Sequence, residues 1–292
     1  MRTLRYIIPE EFSEKKLLSF LKGHARLSSK LIRSLKQIPT GLLLNGEHVR
    51  TVDIIKEGDV LEINIPEDVN TVAPCDFMPE VVYEDEDIIV VNKPAMLPIH
   101  ESHNHQGDTL QNCLSGYFLR KGKCHTFRAV GRLDKGTSGL VLCALNSHIA
   151  SRLSGNFKKE YLAIATGDYK GEGTIDAPIY RPDPIKTYRT VDERGDRAVT
   201  HWTALKGDGK NTLLRIRLET GRTHQIRVHF AHLGTPLLSD SMYGELLSHI
   251  GHQCLHCERL EFVHPITGEI IKLKAPMPAE MQSVADKFSK TE

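Results

Sequence analysis

Residues 131–146 read GRLDKGTSGLVLCALN. A charged segment, Arg132 to Lys135, runs into a glycine-bracketed turn and then into LVLCAL (140–145), which has no polar alternation. Such a run predicts a strand covered on both faces. The turn then sits at the mouth of a core and exposes one carboxylate, Asp134. Three readings compete: a phosphate cradle, a nucleophilic aspartate, or a capped turn. A phosphate loop needs its lysine directly after the second glycine, and here Lys135 precedes Gly136. A serine nucleophile elbow fails because Leu140 stands where its last glycine belongs. Asp134-Lys135 with a later GDGKN (207–211) is faintly like phosphorylated-aspartate pumps, but Gly136 breaks that motif and no apolar run reaches membrane-span length. A plain Asx turn stays open.

Outward from this stretch, short strands alternate with few helices. DIIVVNKP (87–94), EYLAIATGDY (160–169) and TLLRIRLET (212–220) read as strands, and LEFVHPITGEIIKLKAP (260–276) as a hairpin about Thr267-Gly268. TLQNCLSGYFLRKG (109–122), SHIASRLSGNF (147–157, Ser147 as N-cap) and THQIRVHFAHLG (223–234) read as helices. Regular β-α-β alternation is missing. We expect an α+β domain on a mixed, mainly antiparallel sheet from 81 to 292, after a Pro-rich linker at 67–80.

Residues 1–66 read as a small separate α-α-β-β unit. Two amphipathic helices break near Gly23, Asn45-Gly46 marks a hairpin and Gly58-Asp59 a second bend. Lys15, Lys16, Lys22, Arg26, Lys30, Arg33 and Lys36 fall here with no acid among them. A solvated face would explain such a run; so would a phosphate backbone. The 292-residue chain balances 38 Lys and Arg against 37 Asp and Glu, so any nucleic-acid contact must come from local patches of this kind. The six cysteines are scattered, and the N-terminus turns acidic before an apolar stretch forms. We expect no leader, reduced thiols, a cytoplasmic location, no membrane partner and a monomer.

Two further clusters carry possible chemistry. LETGRTHQIRVHFAHLGTPLLSDSMYG (218–244) gathers Arg222, Arg227, His224, His229 and His232 at a turn-to-helix junction, suited to an anion or a catalytic carboxylate. Its histidine spacing is not that of a zinc protease. HIGHQCLHCERLEF (249–262) has one C-x-x-C with neighbouring histidines and no second pair, so no metal site is expected there.

GRLDKGTSGL, KKEYLAI (158–164) and the segment 219–244 together resemble the motifs of RluA-type RNA pseudouridine synthases. DEDIIVVNKPAMLPIH (85–100) and LHCERLEFVHPITGEIIKLKAPMP (255–278) are similar to that family's first and last motifs. Residues 12–66 resemble the S-four-type RNA-binding domain. Departures are Gly131 where the family usually has His, Gly136 where it has an acid or Asn, Met96 for a glycine, and Lys16-Leu17-Leu18 for the usual Arg-Leu-Asp. The resemblance implies isomerisation of uridine in structured RNA, rRNA most of all or else tRNA. An idle RNA-binding, ribosome-associated protein on the same fold is the competing reading.

That resemblance implies Asp134 as the reacting carboxylate and Arg222 as the cation keeping it ionised. It also implies Tyr161 stacking on the base and helping to take the final proton, and Arg132 filling the space an extruded uridine leaves. Ile226 and Leu140 would wall the pocket. The carboxylate could attack the anomeric carbon, assist loss of a ribose proton, or add to the base. No electrons are exchanged, so neither nicotinamide nor flavin is required.

Overall fold

The computed structural model describes residues 2–66, 70–102 and 105–290. Among them, an 11-stranded sheet forms the body of the chain after residue 80. Its main path runs Glu172–Asp176, Val199–Gly207, Asn211–Leu218, Phe157–Thr166, Leu255–Val263, Ser138–Ala144, Ile88–Lys93, Glu80–Glu84. Every pairing is antiparallel except Ser138–Ala144 with Leu255–Val263. The expected mixed, mainly antiparallel α+β architecture is therefore what forms.

The unalternating run behaves as read: every residue of Ser138–Ala144 is buried. The one parallel contact needs a close backbone approach. At Gly139 (φ +107°) a Cβ would lie 2.3 Å from the Cys257 carbonyl oxygen, so only glycine fits. That contact fixes where the Asp134 turn enters the sheet. Helix Leu110–Arg120 starts on a Thr109/Asn112 capping box. Helix Ser147–Leu153 is capped by Asn146, not by Ser147 as expected, because the Asn146 side chain accepts from the Ile149 N–H.

Residues 2–66 have their own core, built on Leu17, Phe20, Leu21, Ile32, Leu35, Leu61 and Ile63. Helices Leu17–Gly23 and Ser29–Leu35 and the hairpin at Asn45-Gly46 form where expected. The α-α-β-β reading missed the strand Arg2–Ile7, which pairs along Val60–Ile65. Its polar-apolar mixture gave no clear period. Arg2 reaches out of this unit: its guanidinium donates twice to Asp87, at 3.0 and 2.8 Å, and pairs with Glu86 at 2.7 Å. Part of the linker, 67–69, lies outside the described residues. The remainder lies along helix Leu110–Arg120, where Asn112 donates to the Ala73 carbonyl and Ser115 to that of Val72.

Candidate active site

A cleft of about 1190 Å³ opens over the centre of the sheet. The 131–137 turn, the strand Phe157–Thr166 and the 219–227 segment all line it. Asp134 lies on its wall, its side chain 25% exposed. The turn is closed by Thr137 N–H donating to the Asp134 carbonyl. From beneath, Lys93 is fully buried and donates to the carbonyls of Pro94, Leu97 and Lys135 at 2.9, 2.9 and 3.0 Å. Burial pushes the Lys93 amine down to about 7, against the pull of Asp134.

The cation beside Asp134 is Arg227, not Arg222. Arg227 Nη1 is 3.3 Å from Asp134 Oδ2, and its other nitrogens grip buried Asp240 at 2.7 Å each. Burial opposes the Arg227 charge, but Asp240 and then Asp134 outweigh it and the guanidinium is held more firmly charged. Arg222 lines the cleft further out, where it donates to the Arg197 carbonyl and pairs with exposed Asp196. The local cause is Gln225. Its carbonyl accepts from Thr220 and from the Arg222 N–H, while its amide donates to Val199 and Thr200. This bracket starts the helix Gln225–His232 one residue past His224 and directs Arg227 inward.

Tyr161 stands where the strand register shifts between Glu160 and Tyr161, and it lines the cleft. Burial first, then Cys257 and Asp134, raise its phenol well above the ordinary value, so it stays protonated. Ile226 lines the cleft; Leu140 does not and is plain core. Arg132 is exposed at the rim.

Three departures have physical counterparts. Gly131 has φ +71°, and a Cβ there would lie 2.3 Å from Phe157 Cζ: the phenyl ring occupies the space a larger side chain would need. Lys159 fastens the same place, donating to the Gly131 carbonyl at 2.5 Å. At Gly136 a Cβ would lie 2.3 Å from Gln253 Oε1, and Gln253 itself donates to Thr137. Met96 keeps a left-handed backbone, φ 64°, the conformation a glycine adopts at no cost.

The buried histidines and the cysteines of the other clusters are engaged structurally, while His232 and His249 are exposed. His229 is buried between Thr200 and the Ala177 carbonyl, and His256 meets Ser138. Cys254 and Cys257 belong to different core clusters. Among the described residues no three metal-ligating side chains converge, and no helix is long and apolar enough to cross a membrane. The seven N-terminal cations are all exposed, and none is ion-paired among the described residues. Reading the sequence missed Lys93, Gln225, Asp240 and Tyr243. A buried aspartate in SDSMYG was the available signal, since such an acid needs a cation.

Residues 87–232 match the RNA pseudouridylate synthase family. The chain is 38% identical to the RNA pseudouridine synthase YjbO of Bacillus subtilis, covering 90% of this chain and 95% of that one. It is 34% identical to the ribosomal large subunit pseudouridine synthase D of Haemophilus influenzae, over 95% and 87% of the two chains. The solved structure of human RNA Pseudouridylate Synthase Domain Containing 1 superposes with a TM-score of 0.58 at 27% identity, over 73% and 88%. With that sheet, that cleft and these relatives, the chain belongs to the RNA pseudouridine synthase family, whose enzymes are isomerases acting on RNA.

Proposed function

We propose that this chain converts selected uridines of large-subunit ribosomal RNA to pseudouridine, with Asp134 as the nucleophile. The bond from ribose C1′ to ring N1 breaks, the base turns, C1′ joins ring C5, and the C5 proton leaves. The observation carrying this reading is a partly exposed carboxylate on the wall of a large open cleft, ion-paired to a guanidinium that is itself anchored on Asp240. An anchored cation keeps the carboxylate charged and aimed. The likeness to a large-subunit synthase over nearly the whole chain supports the choice of RNA.

Tyr161 offers a ring to the base. Its firmly held proton makes it a donor and a stacking surface rather than the base for the C5 proton. Ile226 walls the pocket, and Arg132 at the rim is placed to fill the gap left by an extruded uridine. Arg222, further out, is suited to a phosphate. Residues 1–66 serve as an S-four-type RNA-binding domain, joined through 67–80 to the catalytic domain 81–292. The exposed cations Lys15, Lys16, Lys22, Arg26, Lys30, Arg33 and Lys36 meet the backbone.

The test is to incubate the chain with large-subunit rRNA and tRNA transcripts and map pseudouridine. We expect product on the rRNA and a loss of more than about 10³-fold with Asp134→Ala. Undiminished product from the variant would remove Asp134 from the mechanism. Product on tRNA alone would overturn the choice of RNA, and binding without product would leave an idle RNA-binding protein.

A further inference from the structure

Three histidines line the cleft, and His224, the one against Asp134, has no part in this chemistry. His224 precedes helix Gln225–His232 in the left-handed region, at φ 57° and ψ 18°. Such a backbone is uncommon for non-glycine residues, histidine being among those that adopt it more often, and it can mark a site held by its surroundings. Its Nδ1 lies 2.9 Å from the Tyr243 phenol oxygen, and its Nε2 lies 3.9 Å from Asp134 Oδ2. The Tyr243 oxygen also accepts the Arg189 N–H, at 3.0 Å.

These contacts favour one tautomer. A tyrosine has one hydrogen to donate. Among the described residues the Tyr243 hydroxyl has one acceptor in reach, His224 Nδ1. Nδ1 is then the bare nitrogen, and the neutral ring carries its proton on Nε2, the nitrogen facing Asp134.

We propose that His224 is a positioning residue that presents an N–H to the Asp134 carboxylate, in a tautomer set by Tyr243 and the docked segment 187–189. The proposal rests on the reading of Asp134 as the reacting group. At 3.9 Å the contact is not yet a hydrogen bond, and catalytic contacts of this kind commonly shorten when substrate binds. An N–H at that place adds a second donor to Oδ2, the same oxygen that Arg227 meets, and helps hold the carboxylate oriented.

The segment that sets the tautomer belongs to the cleft. It ends the loop between strands Ile179–Tyr180 and Thr190–Val191. Thr187 lines the cleft, and Tyr188 stacks on Tyr243 with ring centroids 5.1 Å apart. If the loop lifts, Tyr243 loses the Arg189 donor and the Tyr188 ring that seat its hydroxyl. RNA that seats the loop therefore also completes the surroundings of Asp134. The charged groups facing the ring are Asp134, Arg227, Arg189 and Asp240. Burial lowers the His224 pKa against Asp134; Arg227 and Arg189 act with burial, and Asp240 opposes it.

Two measurements on the full chain test this. Nitrogen-15 NMR, with the ring assigned by its loss in His224→Asn, should show a neutral imidazole protonated on Nε2. Tyr243→Phe should abolish that bias. In pseudouridine formation on an rRNA transcript, His224→Asn keeps a residue that tolerates the left-handed backbone but falls short of Asp134. It should lower kcat by about 10- to 100-fold with KM and Tm little changed. His224→Gln, whose amide reaches toward the Nε2 position, should restore part of the loss. A proton on Nδ1 in the wild-type chain, or His224→Asn with wild-type kcat, would overturn the proposal. A wild-type chain that makes no pseudouridine would instead overturn the functional reading, and the tautomer measurement would still decide the His224 geometry.

Discussion

The cleft and the N-terminal helices hold charge in opposite ways. In the cleft, Arg227 sits between two carboxylates, and beneath the Asp134 turn Lys93 is enclosed by three carbonyls. On and around the helices, seven cations stand exposed without an ion pair among the described residues: Lys22, Lys30 and Arg33 within them, Lys15 and Lys16 on a short strand before them, Arg26 between them and Lys36 just after. Matched charges fix a geometry but exert little pull on a distant polyanion, because their fields cancel. Unmatched charges attract a phosphate backbone without specifying how it lies. On the proposed function, this difference divides the labour of an RNA-modifying enzyme between its two regions.

The sharpest way to break that division is to unmatch the cleft. Arg227→Met would leave Asp240, which is fully buried, with no cation, only the backbone donors of Met242 and Tyr243. Stranding a buried charge costs about 3–5 kcal/mol. Arg222→Met removes an exposed pair with Asp196 and should cost little. Urea unfolding of both variants decides which arginine is structural to the site. Equal losses would contradict the assignment of Arg227.

The same pair shows what the sequence could reveal. Both arginines were visible in one short motif, and so was the anion-binding character of the junction. Which one meets Asp134 depends on the Gln225 bracket, whose bonds to Val199 and Thr200 join residues some 25 positions apart. Local periodicity carries no information about such contacts. By contrast, LVLCAL, the two basic helices and the Thr267-Gly268 hairpin were legible because each is fixed by its own pattern of apolar residues or turn glycines. The strand Arg2–Ile7 was not, because its place comes from the partner Val60–Ile65 rather than from its own alternation. Gly131 was legible only as an oddity. Its explanation, Phe157, stands 26 residues downstream.

A second way to break the comparison is to remove charge from the helices. Deleting residues 1–66 would confound this, since it strips Arg2 from Asp87, which is only 2% exposed. Charge substitution avoids the problem. Replacing Lys22, Arg26, Lys30 and Arg33 with Gln should leave the fold intact, since all four are exposed. The dependence of log K for an rRNA fragment on log salt should become shallower by about 3. Fluorescence anisotropy across a salt series measures this. An unchanged slope would mean that the helices present only a solvated face.

The smallest effect sharpens the matched side. Burial lowers Lys93 from 10.5 to about 7 in the folded chain. Between those values the unfolded chain binds a proton that the folded chain has released, so the fold gains stability as pH rises from 7 toward 10.5. Below about 7 both states are protonated and the full cost of burying the charge is present. The slope can reach about 1.4 kcal/mol per pH unit. Lys93→Met removes this contribution, so the wild-type advantage over the variant should grow between pH 7 and 9 in denaturant titrations. The Asp134 turn should respond in the opposite sense. A neutral amine has two hydrogens for three carbonyls, so the tether to the Lys135 carbonyl slackens as the proton leaves. Amide exchange at residues 135–137, measured over the same range and corrected for its intrinsic pH dependence, should therefore quicken while global stability rises; parallel changes in the two would mean that Lys93 keeps its proton.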